Sequence, residues 1–279
     1  MLTAEQLQSI MPRLPGKRNS ELLPFLTAAM TEFAINTPAR AAAFLAQLAH
    51  ESGQFRFMEE IWGPTDAQRR YEPVTKLSAA LGNTATGDGK RFKGRGPIQL
   101  TGRANYQRFG NLLSVDLLAD PARAASPEVA FRVAGLFWSK KGLNELADVA
   151  TADAFTTITK RINGGTNGLA DRQAFYATAR TALGVAETPL TRGGPGGGAP
   201  IPTDDPTFDR GAEAIRAFRR QPGRRKTTKG SPKRKTSPKR KATSKRKATP
   251  KRKATPKSVR KAAARKRPRK AVRSAAKRR

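Results

Sequence analysis

Apolar and polar positions along roughly the first 185 residues recur mostly with a helical period. Leu22, Leu23, Phe25, Leu26, Met30 and Phe33 make the core face of a helix that begins at Ser20. Val129, Phe131, Val133, Ala134, Phe137 and Trp138 make another behind Ser126-Pro127-Glu128, a well-formed helix start. Thr3, with Glu5 in the first turn, caps a short N-terminal helix, and Thr151 to Arg161 and Asp171 to Leu183 predict two more around an Asn163-Gly164-Gly165 turn. The strongest signal lies between them. Thr37 is an N-cap, Pro38 takes the first helical position, Ala39 to Ser52 is rich in the best helix former, and Gly53 ends the run. On this helix Ala41, Phe44, Leu45 and Leu48 form one apolar stripe. Convincing strand alternation is absent, with room only for a small β-hairpin near Phe55 to Ile61. The pattern predicts a mainly α domain.

Between Trp62 and Arg91 the apolar period fades. Gly63-Pro64 marks a turn, Asp66 to Arg70 fits one helical turn, and Gly82 to Arg91 reads as a surface loop. The block that follows, Gly94-Arg95-Gly96-Pro97-Ile98-Gln99-Leu100-Thr101, has glycines suited to tight backbone beside a ligand. A phosphate-binding loop would need a Gly-Lys-Ser/Thr ending and a flanking strand, and neither is present.

Charge divides the chain. Residues 1–190 hold 22 Lys and Arg against 17 Asp and Glu, while residues 191–279 hold 33 against 4. The first part reads as an ordinary globular domain, large enough to bury its own core. Residues 191–220 read as a Gly/Pro linker with one short helix anchored by Ile215 and Phe218. Residues 221–279 contain no acid and 28 Lys or Arg among 59 residues, in near-repeats such as Ser231-Pro232-Lys233-Arg234-Lys235 and Thr249-Pro250-Lys251-Arg252-Lys253. Mutual repulsion and scarce apolar content predict a disordered polycationic tail.

The candidate chemistry sits at the end of the alanine-rich helix. Glu51 lies at the edge of the apolar stripe, where desolvation and the negative helix terminus both raise a carboxyl pKa, as a general acid near neutral pH requires. The same position also fits a glutamate facing water. Glu59 and Glu60 offer a second carboxylate. In an extended segment they point to opposite faces, so one of them joins the site. Paired carboxylates across a cleft suit glycoside hydrolysis. The chain has one histidine, His50, and no cysteine, which rules out an HExxH centre and argues against any structural metal. His50 reads as a positioning residue, and no metal or cofactor is expected.

The succession His50-Glu51-Ser52-Gly53, Glu59-Glu60-Ile61, Phe92 to Thr101, Asn105-Tyr106, and Ile162-Asn163-Gly164-Gly165 before Arg172 resembles glycoside hydrolase family 19, and in particular its compact bacterial and phage members. The resemblance implies a lysozyme-like, two-lobed helical fold with a small β element. It also implies an inverting mechanism with carboxylates ~6.5–9.5 Å apart. Glu51 aligns with the general acid and Glu60 with the base that activates water. Thr101 stands where the family holds that water, and Gln99, Asn105, Asn163 and Arg172 match positions that line the cleft or orient the glutamates. Trp62 and Tyr71 either stack on sugar rings or pack between lobes. Cysteines and long cleft loops of plant members are missing here, and Ala104 replaces a usual aromatic, which puts long crystalline chitin in doubt as a substrate.

The reading that joins both parts is a monomeric wall-lytic enzyme that cuts β-1,4 bonds between the amino sugars of peptidoglycan. Its tail would gather it on lipopolysaccharide, teichoic acid or other anionic envelope polymers by counterion release. The tail also implies non-specific nucleic-acid binding, without base stacking because it lacks aromatics. A chitinase acting on chitin oligomers is the enzyme alternative, and a nucleic-acid-binding polycation with an inactive lysin-like domain is the other. Met1 to Ile10 lacks the pattern of a signal peptide and no apolar run is long enough to span a membrane, so synthesis in the cytoplasm and action at the wall after release or non-classical export are expected.

Overall fold

Side-chain caps start many of the helices where the sequence places them. Thr3 accepts from the Gln6 amide while Gln6 reaches back to Thr3, closing a capping box, and Thr37 accepts from Arg40 N–H ahead of Pro38. The computed structural model describes residues 1–186, so the linker over 191–220 and the tail over 221–279 lie outside the described residues. The helices run in the order α1 (Ala4–Ile10), α2 (Gly16–Glu32), α3 (Pro38–Ser52), then the short α4 (Asp66–Arg69), α5 (Lys76–Leu81) and α6 (Asp88–Arg91). After them come α7 (Arg103–Leu113), a 3-10 turn at Pro121–Ala125, α8 (Pro127–Lys140), α9 (Leu143–Asp148), α10 (Ala152–Asn163) and α11 (Leu169–Ala182). No helix among the described residues is long and apolar enough to cross a membrane.

The stripe expected on α3 is an underestimate. Every residue from Ala41 to Ala49 is buried, as are Glu51 and Ser52, because α1, α9 and α11 all pack against this helix. A helix buried all round is the centre of a core rather than its lid. Its alanines let neighbours approach closely, and Phe44 fills the remaining space edge-on to Trp138 at 5.3 Å. On the far side α2 packs on α8.

Three expectations are revised. Helix α2 begins at Gly16 instead of Ser20: the Ser20 hydroxyl donates back to the Gly16 carbonyl inside the helix, and Asn19 donates to the Ala4 carbonyl, tying the added turn to α1. Phe25 lies off the face formed by Leu22 and Leu26 and is exposed. The segment from Gly82 to Arg91 is less of a loop than it reads, since α6 closes it and Asp88 is buried there. The β element is not a local hairpin. It consists of two isolated antiparallel bridges, Glu59 with Arg95 and Arg95 with Leu100. Gly53, Gln54 and Phe55 all have positive φ, so the chain coils tightly out of α3 and its next extended residues meet the Gly94 block instead of each other. Helices α7 and α9 were not foreseen, because each starts behind a glycine with no side-chain cap.

Apolar packing forms two clusters of unequal size. The large one unites the N-terminal helices with α7 to α11. The small one holds Tyr71 and Leu81, with Trp62 and Leu77 against them, in the region of α4 and α5.

Candidate active site

Glu51 occupies the last turn of α3, and α11 is the helix that faces it. The Arg172 guanidinium donates to Glu51 Oε1 at 2.6 Å, with both side chains essentially fully buried. The other arm of Arg172 bonds the Gln47 carbonyl oxygen, one turn earlier on α3, and the Gln47 amide donates to the Thr159 hydroxyl at 2.8 Å. Burial pushes Arg172 down to about 10, which leaves it cationic at neutral pH. The helix-end reading of Glu51 thus lacked its main partner, an enclosed counter-charge.

The chain just beyond Glu51 is strained. Ser52 Oγ donates to the Leu48 carbonyl and accepts from Phe55 N–H at 2.7 Å, pinning the turn. Phe55 has φ +58°, unusual for a bulky residue and worth ~1–3 kcal/mol of strain. Its ring packs edge-on to Phe131 at 5.1 Å, a contact that holds the conformation in place.

Glu60 is held in a different way. Its amide donates to the Gly94 carbonyl, and its carboxylate accepts from Gly94 N–H at 2.9 Å through Oε2 and from the Gln68 side-chain amide at 2.9 Å through Oε1. The carboxylate is buried and burial raises its pKa, opposed by these two hydrogen bonds and by the charges of Lys93 and Arg95. Glu59 points elsewhere, into an ion pair with Lys93 at 3.2 Å and Arg95 at 3.0 Å. The opposite-face argument therefore holds, and Glu60 is the glutamate that faces inward.

The Gly94 block supplies the rest of this wall. A Cβ on Gly94 would stand 2.7 Å from Gln99 Oε1 and 3.3 Å from Thr101 Oγ1, so only glycine admits those two side chains beside Glu60. Thr101 donates its hydroxyl proton to the Gln99 carbonyl, leaving lone pairs as its remaining capacity. Gln99, at φ +58°, donates to the Gly96 carbonyl, and Asn105 donates to the Thr101 carbonyl. Asp88 and Arg103 form a bidentate pair at 2.7 and 2.8 Å that clamps the two ends of the block together.

The remaining residues singled out in the sequence fall into place around these two centres. Asn163 donates to the Asn167 carbonyl, shaping the turn that delivers Arg172. His50 bonds Asp171 at 2.6 Å, and a Cβ on Gly168 would meet its ring at 2.3 Å, so α11 is seated on α3 beside Arg172. Tyr71 is 1% exposed and its ring lies 6.2 Å from that of Trp62. Its ring is covered by packing; Trp62 is half-buried. Gln47, Thr159 and Gln68 were not singled out. Gln47 lies four residues before Glu51, a helical spacing that marks it as a neighbour, and Thr65-x-x-Gln68 has the spacing of a capping box, which marks Gln68 as a helix-start residue but not as a partner of Glu60. Among the described residues no group of three or more His, Cys, Asp or Glu could hold a metal ion.

Comparison with known proteins identifies the family. The family described as class I chitinase, glycoside hydrolase family 19, matches residues 25–153. A Haemophilus influenzae protein described as a glycosyl hydrolase family 19 domain-containing protein is 34% identical over 158 residues, covering 48% of this chain and 76% of that protein. An Arabidopsis thaliana endochitinase is 42% identical over 126 residues, 44% of this chain and 39% of the relative. The chain thus spans about two fifths of the length of that plant relative. The crystal structure of chitinase C from Streptomyces griseus superposes with a TM-score of 0.51 at 23% identity, over 65% of this chain and 92% of that one, a likeness of fold. With the Haemophilus influenzae relative 34% identical and covered over 76% of its length, the chain belongs to glycoside hydrolase family 19.

Proposed function

We propose that the protein hydrolyses β-1,4 bonds between amino sugars by an inverting acid/base mechanism. The observation that carries this reading is the pair of buried glutamates with unlike surroundings, one against a guanidinium and one against neutral donors. Unlike environments are how two carboxylates take two roles. Glu60 is the base. Burial makes it more basic than an ordinary glutamate, and each of its oxygens keeps lone-pair capacity beyond the one hydrogen bond it accepts. A water between Glu60 and Thr101 donates one hydrogen to each acceptor, which turns its own lone pair toward the anomeric carbon. Glu51 enters the reaction protonated against the pull of Arg172, gives that proton to the leaving oxygen as the glycosidic bond breaks, and returns to the ion pair.

The chitinase names of the relatives support chitin-type glycan as the substrate. A second reading, peptidoglycan, is favoured by the tail: chitin is uncharged and offers a polycation nothing, whereas anionic envelope polymers attract 28 positive side chains strongly. Both substrates present the same bond between amino sugars.

The test is mass spectrometry of products from chitin oligomers and from purified peptidoglycan, with Glu51→Gln as control. Glu51→Gln is expected to lower turnover by about 10²–10⁴-fold while leaving salt-sensitive polyanion binding unchanged. Removal of residues 221–279 is expected to reduce lysis of whole cells far more than cleavage of short oligomers. Unchanged whole-cell lysis at low salt after that truncation would remove the argument for an anionic target, and activity retained in Glu51→Gln would end the acid assignment.

A further inference from the structure

Gln68 is buried to 1% exposure on α4 and uses its whole side-chain amide. Its Oε1 accepts from Gly63 N–H at 3.2 Å and Thr65 N–H at 2.8 Å, and its Nε2 donates to Glu60 Oε1 at 2.9 Å and to the Ile61 carbonyl at 2.8 Å. Two backbone donors on one end fix which end is oxygen, so the amide presents its nitrogen to the carboxylate without a competing orientation. The capping box between Thr65 and Gln68 holds the residue from its backbone side as well. Every group that could let Gln68 rotate away is already bonded.

We propose that Gln68 is the positioning residue of the base: it ties Glu60 and the turn over Ile61 to Thr65 into one unit, and presents the carboxylate ionised and in a single orientation. The inference rests on the assignment of Glu60 as base. Its partner on the other oxygen, Gly94 N–H, is backbone and does not vary with sequence, so Gln68 is the side chain through which the basicity of Glu60 is set. The charged and titratable groups around Glu60 are Lys93 and Arg95, which favour its ionised form, and the buried phenols of Tyr71 and Tyr106. A hydrogen bond from a neutral amide adds to the two cations without adding charge. Loss of that donor leaves burial less opposed, and the carboxylate binds its proton more tightly.

Gln68→Met keeps the volume and removes the donor. It is expected to lower kcat by about tenfold with KM little changed, and to move the acidic limb of the pH profile of kcat/KM upward by about one pH unit. Gln68→Glu sets a second carboxyl against Glu60 and is expected to move the limb further in the same direction. A residue that mattered only for folding would lower the melting temperature and the active fraction while leaving that limb in place. Carboxyl-carbon NMR titration of Glu60, assigned by its loss in Glu60→Gln, reads the same displacement without turnover. An unmoved Glu60 titration in Gln68→Met overturns the positioning role even where Glu60→Gln is inactive. Full activity in Glu60→Gln on chitin oligomers and peptidoglycan overturns the base assignment, and this inference with it.

Discussion

The two glutamates are held by opposite kinds of structure. Glu51 stands on a helix at the centre of the core, and its partner Arg172 is a side chain from a second helix, 121 residues away in sequence. Glu60 stands on irregular chain, and its partners are a backbone N–H and a neutral amide from segments 34 and 8 residues away. Glu51 is placed by helix packing, and its surroundings are set by charge. Glu60 is placed by hydrogen bonds among short, sheetless stretches of chain. Glu51 against a guanidinium and Glu60 in a buried pocket of neutral donors therefore differ in how firmly each holds a proton.

The comparison breaks hardest at Arg172. Arg172→Ala leaves Glu51, Gln47 and the end of α3 without their shared partner, and a buried pair stripped of one member costs about 3–5 kcal/mol. Denaturant unfolding of the variant is expected to show that loss, whereas Lys93→Ala, against the exposed Glu59, is expected to cost under about 1 kcal/mol.

Titration sharpens the contrast within the base region. The Arg103 guanidinium, with the Ala85 and Thr84 amides, holds the Asp88 carboxyl at about 2 instead of 3.8. Its contribution is fully present above pH 3.8 and is lost as pH falls toward 2, which amounts to about 2 kcal/mol. Glu60 acts with the reverse sign. Burial raises its folded pKa, so its contribution is most favourable below 4.5 and declines as pH rises through the raised value. Melting temperatures followed from pH 2 to 7 are expected to lose the acid-side slope in Asp88→Asn and to keep it in Glu60→Gln.

The smallest effect concerns Tyr71. Its hydroxyl is buried with no hydrogen bond among the described residues. Tyr71→Phe removes a group that is buried without a partner, and is expected to leave the melting temperature unchanged or raise it by the equivalent of about 1 kcal/mol.

How much of this was legible in the sequence follows the same divide. Thr37, Pro38 and Gly53 fixed α3 and hence Glu51, since caps and propensity act locally. The burial of α3 on all sides was not legible, because it depends on α1, α9 and α11 arriving from elsewhere. Alternation was enough to say that only one of Glu59 and Glu60 faces inward, while the choice between them came from motif resemblance and agrees with the Lys93 and Arg95 pairing of Glu59. The spacing Thr65-x-x-Gln68 signals a capping box, but the reach of the Gln68 amide to Glu60 depends on an amide orientation that no spacing encodes. The expected hairpin failed for a local reason as well: the left-handed φ at Gln54 and Phe55, residues that rarely adopt it, turned the chain toward the Gly94 block.

The two isolated bridges also bear on how the molecule comes apart. Helices α3 and α11 share a continuous core, so their amides open only when much of the domain does. The segment around Glu60 is joined to the Gly94 block by few backbone bonds, from the Glu60 amide to the Gly94 carbonyl and from the Gly96 amide to the Met58 carbonyl, and can part from it while the helices stay closed. In hydrogen exchange these amides are expected to trade deuterium well before those of α3. Heat or mild denaturant would then release Glu60 from its partners while most of the helix content is still intact.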